Sequence, residues 1–224
     1  MTAPLHLIAG WACHPSSLSP LADALANVAT VTVHPFDVDL SQLRTIDGPW
    51  TLAGWSLGGL RALDALARGE LRPARLILIG STARFCADAD YPHGVARSSL
   101  RAMMIGLKRK RAETLERFFI DVAAPGHSGD VAMRMREASF WSDDTLAAGL
   151  QWLDQLDARP ALPNLRLPVL LLHGRHDAII PAGASAYLHQ RLPNARLVAH
   201  EHAGHNLPVI DPAWVAARIA AFCR

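Results

Sequence analysis

Cysteine is scarce in this sequence: Cys13, Cys86 and Cys223 are the only three among 224 residues, with no CxxC or other metal-ligand spacing. An odd, widely spaced set in a chain of this length excludes a disulfide framework and points to reduced thiols in the cytoplasm. Long apolar runs are missing too, since no uncharged stretch reaches the roughly 18 residues that a membrane span needs. The opening residues Met1, Thr2, Ala3, Pro4 and Leu5 lack a basic region followed by a long apolar one, so no signal peptide is expected. Excess charge of either sign is also absent: 22 Lys and Arg stand against 20 Asp and Glu, a formal net charge of +2. Nothing global suggests nucleic acid, and repeats and low-complexity tracts are lacking.

What the chain does have is a core. Half of its residues are hydrophobic and 19% are charged, enough to close one domain over residues 1–224. Short apolar runs at 5–9, 31–34, 50–53, 75–79, 169–172 and 196–199 read as strands. Helical patterns separate them: Leu18, Leu21, Leu25 and Val28 keep close to helical spacing, 60–68 follows the third strand, and 213–222 closes the chain. This alternation predicts the α/β class, a mostly parallel central sheet flanked by helices. The interval from about 83 to 167 has no convincing strand. Leu100, Met103, Met104 and Leu107 recur at helical spacing there, as do Leu115, Phe118, Phe119 and Val122. Long insertions between strands are often functional, so this one is expected to form a helical cap over a site.

Chemistry is concentrated at Gly54-Trp55-Ser56-Leu57-Gly58, a G-x-S-x-G pattern after an apolar strand and before a helix. In that setting the serine sits on a tight, strained turn, a nucleophile elbow, that lifts its hydroxyl above the sheet. A hydroxyl is a weak nucleophile until a base takes its proton. Among 11 histidines, His205 follows the last strand and the small residues Ala203 and Gly204, on a loop that can reach back over Ser56. Asp177, just beyond the fifth strand, would fix the imidazole tautomer and stabilise the imidazolium. The chain order Ser56, Asp177, His205 is that of α/β-hydrolases. Backbone N–H groups of Leu57 and of Trp11, in the Gly10-Trp11 loop after the first strand, would form the oxyanion hole.

Taken together, Gly54-Trp55-Ser56-Leu57-Gly58-Gly59-Leu60, Gly10-Trp11, Leu115-Glu116-Arg117-Phe118 and the Asp177 and His205 loops resemble the pimeloyl-acyl-carrier-protein methyl ester esterases of biotin synthesis. The likeness runs from the first strand to the last helix. It implies an α/β-hydrolase fold and removal of a methyl ester from a carrier-bound pimeloyl chain. It further implies that Trp11, Ser56, Leu57 and His205 line the substrate, and that Phe118, Phe119, Ile120, Asp121 and Val122 form the cap-side wall. Ala9 stands where α/β-hydrolases commonly carry a histidine, so the oxyanion loop is expected to be held differently. The chain also enters its first strand without the N-terminal hairpin common in such enzymes, and the stretch between the second strand and the elbow is short.

Local charge agrees with an acidic partner. Residues 97–136 hold nine Lys or Arg against four acids, Glu113, Glu116, Asp121 and Asp130. Arg111, Arg117, Arg134 and Arg136 are the expected contacts to an acyl-carrier protein. The cluster lacks interleaved aromatics, which disfavours nucleic acid. A solvated helix face is the plain alternative for the same charges. Other readings of the whole chain are a small-molecule carboxylesterase or C–C hydrolase on the same fold, a metal-dependent hydrolase using His200, His202 and His205, and a non-catalytic ligand-binding protein. No cofactor motif is present, no metal is expected in the serine reading, and the protein is expected to act as a monomer.

Overall fold

The structure, a computed structural model, describes residues 3–126 and 131–224. Met1, Thr2 and Asp130, which entered the sequence reading, lie outside the described residues. Strands β1 (Pro4–Ile8), β2 (Thr30–His34), β3 (Thr51–Trp55), β4 (Arg75–Ile79), β5 (Val169–Gly174) and β6 (Ala195–His200) form one sheet in the order β2-β1-β3-β4-β5-β6. Every neighbouring pair is parallel, and Leu52 pairs with Leu76 as Leu78 pairs with Leu171.

The four inner strands are apolar because both faces are covered. Leu5, Leu7, Ala53, Trp55, Ile77, Ile79, Leu170 and Leu172 point to one side, into the larger core cluster. Ile8, Leu52, Leu76, Leu78, Val169 and Leu171 alternate to the other. Truncating one of these, such as Leu171→Ala, would cost about 2–5 kcal/mol. The edge strands β2 and β6 show only intermediate and exposed positions, consistent with their mixed sequences.

Helices α1 (Ser19–Ala24), α2 (Leu57–Ala67), α3 (Arg97–Arg109), α4 (Arg111–Ala123), α5 (Val131–Ala138), α6 (Asp143–Gln155), α7 (Gly183–Arg191), α8 (Leu207–Ile210) and α9 (Pro212–Cys223) connect the strands. The first helical run is shorter than its apolar spacing suggests. Pro15 opens a 3-10 turn over Pro15–Leu18, Pro20 fixes the start of α1, and i to i−3 turn bonds at Ala26 and Val28 lead into β2. Leu18, Leu21 and Leu25 are nonetheless fully buried. Helix α7 buries only Ala184, Ser185 and Leu188, so apolar periodicity does not mark it.

Between β4 and β5 the chain forms α3 to α6 with no named strand among the described residues, only isolated bridges such as Arg84 with Asp157. Ser142 caps α6 by accepting the Thr145 N–H, and Asp143 and Asp144 stand in its first turn. No helix among the described residues is long and apolar enough to cross a membrane.

Candidate active site

Ser56 lies between the end of β3 and the start of α2 with φ 56° and ψ −122°, left-handed backbone that a side-chain-bearing residue rarely adopts. The strain is held by its surroundings. The Ser56 N–H donates to Ile79 O at 2.9 Å, and its carbonyl accepts from Gly59, Leu60 and the Ser81 hydroxyl. The flanking glycines are required by close approach: a Cβ on Gly54 would lie 2.5 Å from Gly59 Cα, and one on Gly58 would strike the carbonyl oxygens of Ile8 and Ala9.

The elements then bring three distant residues together. His205 Nδ1 is 2.8 Å from Asp177 Oδ2, and His205 Nε2 is 2.9 Å from Ser56 Oγ. An ionised carboxylate only accepts, so the network assigns the imidazole proton to Nδ1 and leaves Nε2 to accept from the serine hydroxyl. Asp177 Oδ1 is occupied by the N–H groups of Ile179 and Ile180 at 2.9 and 2.8 Å. Burial pushes the Asp177 carboxyl up, but the charge and hydrogen bond of His205, the nearby His173 and the Ile180 N–H outweigh it and hold the group below the ordinary carboxylate range.

Three neighbours that the sequence reading did not single out complete this arrangement. Trp55 Nε1 donates to His205 O at 2.9 Å, and Ser81 braces the elbow carbonyl. His173, at the end of β5, places Nε2 2.9 Å from Ile180 O and 3.4 Å from Asp177 Oδ2. Both partners accept, so Nε2 carries the proton. Burial holds the His173 imidazole below its ordinary value, against the opposing pull of Asp177 and Ile180 O. These contacts join residues far apart in sequence or depend on a buried tautomer, and nothing local marks them.

The loop after β1 passes directly beside Ser56: a Cβ on Gly10 would lie 3.2 Å from Ser56 Cβ. Neither the Trp11 nor the Leu57 backbone N–H has a partner among the described residues. Unpartnered donors on the two segments that flank a serine are what an oxyanion hole requires.

Above Ser56 opens a cavity of about 590 Å³. Its walls are mainly apolar, with Trp11, Phe85, Leu100, Met103, Phe118 and Leu153 prominent, while Lys110, just before α4, and Glu113, Arg117 and Asp121 along it contribute charge. Of the proposed cap-side wall, Phe118 and Asp121 line the cavity. The other three correct the sequence reading: Phe119 and Val122 are buried in the core, and Ile120 is 44% exposed. Consecutive residues on a helix turn to different faces, so five in a row cannot share one wall.

The proposed carrier contacts also divide. Arg134 is buried and paired with Glu137, which corrects its assignment to the surface. Arg111 is half-buried and donates to Ala138 O and Trp141 O, binding α4 to the end of α5. Arg117 is exposed and paired with Asp121 at 3.3 Å, and Arg136 is exposed. His200 and His202 do not converge with His205. His200 contacts Asp211 and accepts from the His202 and Ala203 N–H groups. Among the described residues no group of three His, Cys, Asp or Glu is spaced to hold a metal ion.

Comparisons with known proteins agree with this geometry. The family profile described as the alpha/beta hydrolase fold matches residues 27–212. The chain is 32% identical over 223 residues to a pimeloyl-[acyl-carrier protein] methyl ester esterase of Nitrosomonas europaea, covering 90% of this chain and 88% of that one. A protein of the same name from Neisseria meningitidis is 35% identical over 179 residues, with 77% and 69% covered. Among solved structures, an esterase from Exiguobacterium antarcticum superposes with a TM-score of 0.86 at 20% identity, covering 99% of this chain and 91% of that one.

Proposed function

The chain belongs to the pimeloyl-[acyl-carrier protein] methyl ester esterase family of α/β hydrolases, and from that premise we propose that it hydrolyses the methyl ester of a carrier-bound pimeloyl chain through an acyl-enzyme on Ser56. The observation that carries the assignment of roles is the continuous path from Ser56 Oγ through His205 to Asp177, with both hydrogen bonds under 3 Å.

In the first step Ser56 Oγ attacks the ester carbonyl while His205 Nε2 takes its proton. Negative charge on the carbonyl oxygen is received by the N–H groups of Leu57 and Trp11. His205 then gives the proton to the departing methoxide oxygen, and methanol leaves. Water follows the same course: His205 takes its proton, the oxygen attacks the acyl-enzyme, and Ser56 departs with the proton returned. The product is a free carboxylate at the end of the chain. Asp177, held ionised by its surroundings, stabilises the imidazolium that forms twice per cycle.

The helices α3 to α6 act in this reading as a cap. Leu100 and Met103 of α3, Phe118 of α4 and Leu153 of α6 supply apolar wall for a methylene chain. Exposed Arg101, Lys108, Arg109, Arg117 and Arg136 give the same segment a positive face suited to an acidic carrier. The unpaired Cys13, Cys86 and Cys223 support action in a reducing cytoplasm.

The test is methanol release from pimeloyl-carrier-protein methyl ester by the purified protein, with Ser56→Ala as control. Turnover of short free esters alone would favour a small-molecule carboxylesterase on the same fold.

A further inference from the structure

Arg134 and Glu137 on α5 form an ion pair that is almost out of solvent, with side chains 4% and 12% exposed and Arg134 Nη1 2.9 Å from Glu137 Oε2. Such a pair contributes little to stability, because desolvation of both charges offsets their attraction. Here the compensation is also incomplete, since Arg134 Nη2 has no acceptor among the described residues. The use of the pair is better sought in what it holds.

Glu137 reaches out of the helix to the loop after β1. Ser17 Oγ donates to Glu137 Oε2 at 2.6 Å, and Ser16 Oγ to Oε1 at 3.3 Å. That loop begins with the turn over residues 10–13, closed by Cys13 N–H to Gly10 O at 3.1 Å, and Ala12 in it has φ 59°. Left-handed backbone at alanine persists only where its surroundings impose it. Within the same turn, Trp11 Nε1 donates to Leu146 O of α6 at 2.9 Å. The strained turn is therefore tied to helices of the insertion at two points, to α6 through Trp11 within it and to α5 through Ser16 and Ser17 after it.

We infer that Arg134 and Glu137 are positioning residues for the oxyanion hole: through Ser16 and Ser17 they fix the turn that presents the Trp11 N–H beside Ser56. The arrangement makes α5 and α6 part of the catalytic support, in a chain where Ala9 precedes the turn. The inference rests on the reading of Trp11 as an oxyanion donor.

Two variants test it. Arg134→Met with Glu137→Leu replaces the pair by apolar side chains of similar size, a change that need not harm stability. Ser17→Ala removes a single tether from the loop side. Each is assayed for melting temperature, for kcat and KM on a short neutral ester, and for affinity toward a trifluoromethyl ketone whose adduct with Ser56 places an oxyanion in the hole. We expect kcat and ketone affinity to fall about tenfold in the double variant and about threefold in Ser17→Ala, with KM within twofold of wild type. Wild-type kcat and ketone affinity in Ser17→Ala and in a folded double variant would overturn the inference and leave the esterase reading standing. If the double variant does not fold, Ser17→Ala decides alone. Should the unaltered protein form no ketone adduct that depends on Ser56, the esterase reading fails and the inference with it.

Discussion

Trp55 Nε1 donates to the backbone oxygen of His205 at 2.9 Å, so the residue preceding Ser56 holds the loop that carries His205. The two rings lie 5.8 Å apart between centroids, at an interplanar angle of 37°. One indole thus limits both the height of the His205 loop and the tilt of its ring. The distance from His205 Nε2 to Ser56 Oγ is then fixed by groups on the elbow itself, not left to a surface loop.

Trp55→Phe separates these two constraints, keeping a ring and deleting the N–H. The lost bond leaves the His205 carbonyl buried without that donor, a cost of about 1–3 kcal/mol if felt fully in the active arrangement. The expected result is a five- to tenfold or larger drop in kcat on a short ester with a modest change in KM. Steady-state kinetics beside a melting curve decide it; an unchanged kcat would mean that ring packing alone sets the loop.

Ser56→Ala should abolish hydrolysis without unfolding the protein, and a fluorophosphonate should label Ser56 alone. Loss of His205 should lower kcat by about 10³-fold or more, since the alkoxide then forms only by unassisted proton loss. Mass spectrometry of the labelled peptide and kinetics of the two variants provide the check. Near-normal activity in either would remove the serine mechanism.

The sheet and the elbow were legible because their signals are local. Apolar runs such as 75–79 and 169–172 are too short for helices and have no polar face, which marks doubly buried strands, and the glycines at 54 and 58 mark a turn that leaves no room for a side chain. Strand ends were less so: β5 continues to Gly174 because His173 and Gly174 pair with Ala199 and His200, which polarity alone does not reveal. The wall residues of α4 were half legible. The spacing of Leu115, Phe119 and Val122 already describes a core-facing stripe, and Phe118 with Asp121 lies on the face beside it. Arg134 was illegible, since a charge count treats every arginine as solvated, and only the fold brings Ser17 to Glu137 across 120 positions.

Acid should destabilise the protein in two stages. The His173 pKa is lowered in the folded state, chiefly by burial, so its stabilising contribution is complete above the unfolded value of about 6.5 and is lost as pH falls below it. Partly buried His6 and His34 are shifted the same way and act in the same window. Asp177 is lowered as well, so its contribution persists to about pH 4 and fades as pH drops through its folded value. Melting temperature should therefore fall between pH 7 and 5, by about 2–4 °C for each kcal/mol lost. His173→Gln should flatten that slope in part, and His6→Gln with His34→Gln should flatten it further. A slope indifferent to all three would assign the acid sensitivity elsewhere.

The positive face of the insertion supplies the last prediction. Lys108, Arg109 and Arg136 are exposed and do not line the cavity, which separates attraction of a partner from contact with the ester. Charges of this kind act on encounter and orientation, while the triad acts on the bond. Replacing all three by Gln should raise KM for a carrier-bound ester by about three- to tenfold and leave hydrolysis of a small neutral ester within twofold. Salt should mimic the substitutions in the unaltered protein, because at 0.1 M the Debye length is already about 10 Å, and it should have less effect on the variant. Phe118→Ala gives the opposite pattern. Its ring lines the cavity and meets Trp11 edge-on, with centroids 4.9 Å apart, so its loss should impair both substrates and do so independently of salt. Equal losses on both substrates from the Gln variant would show that these charges serve the fold of the insertion. In that case the case for a carrier-bound substrate would stand on family membership and on the apolar cavity alone.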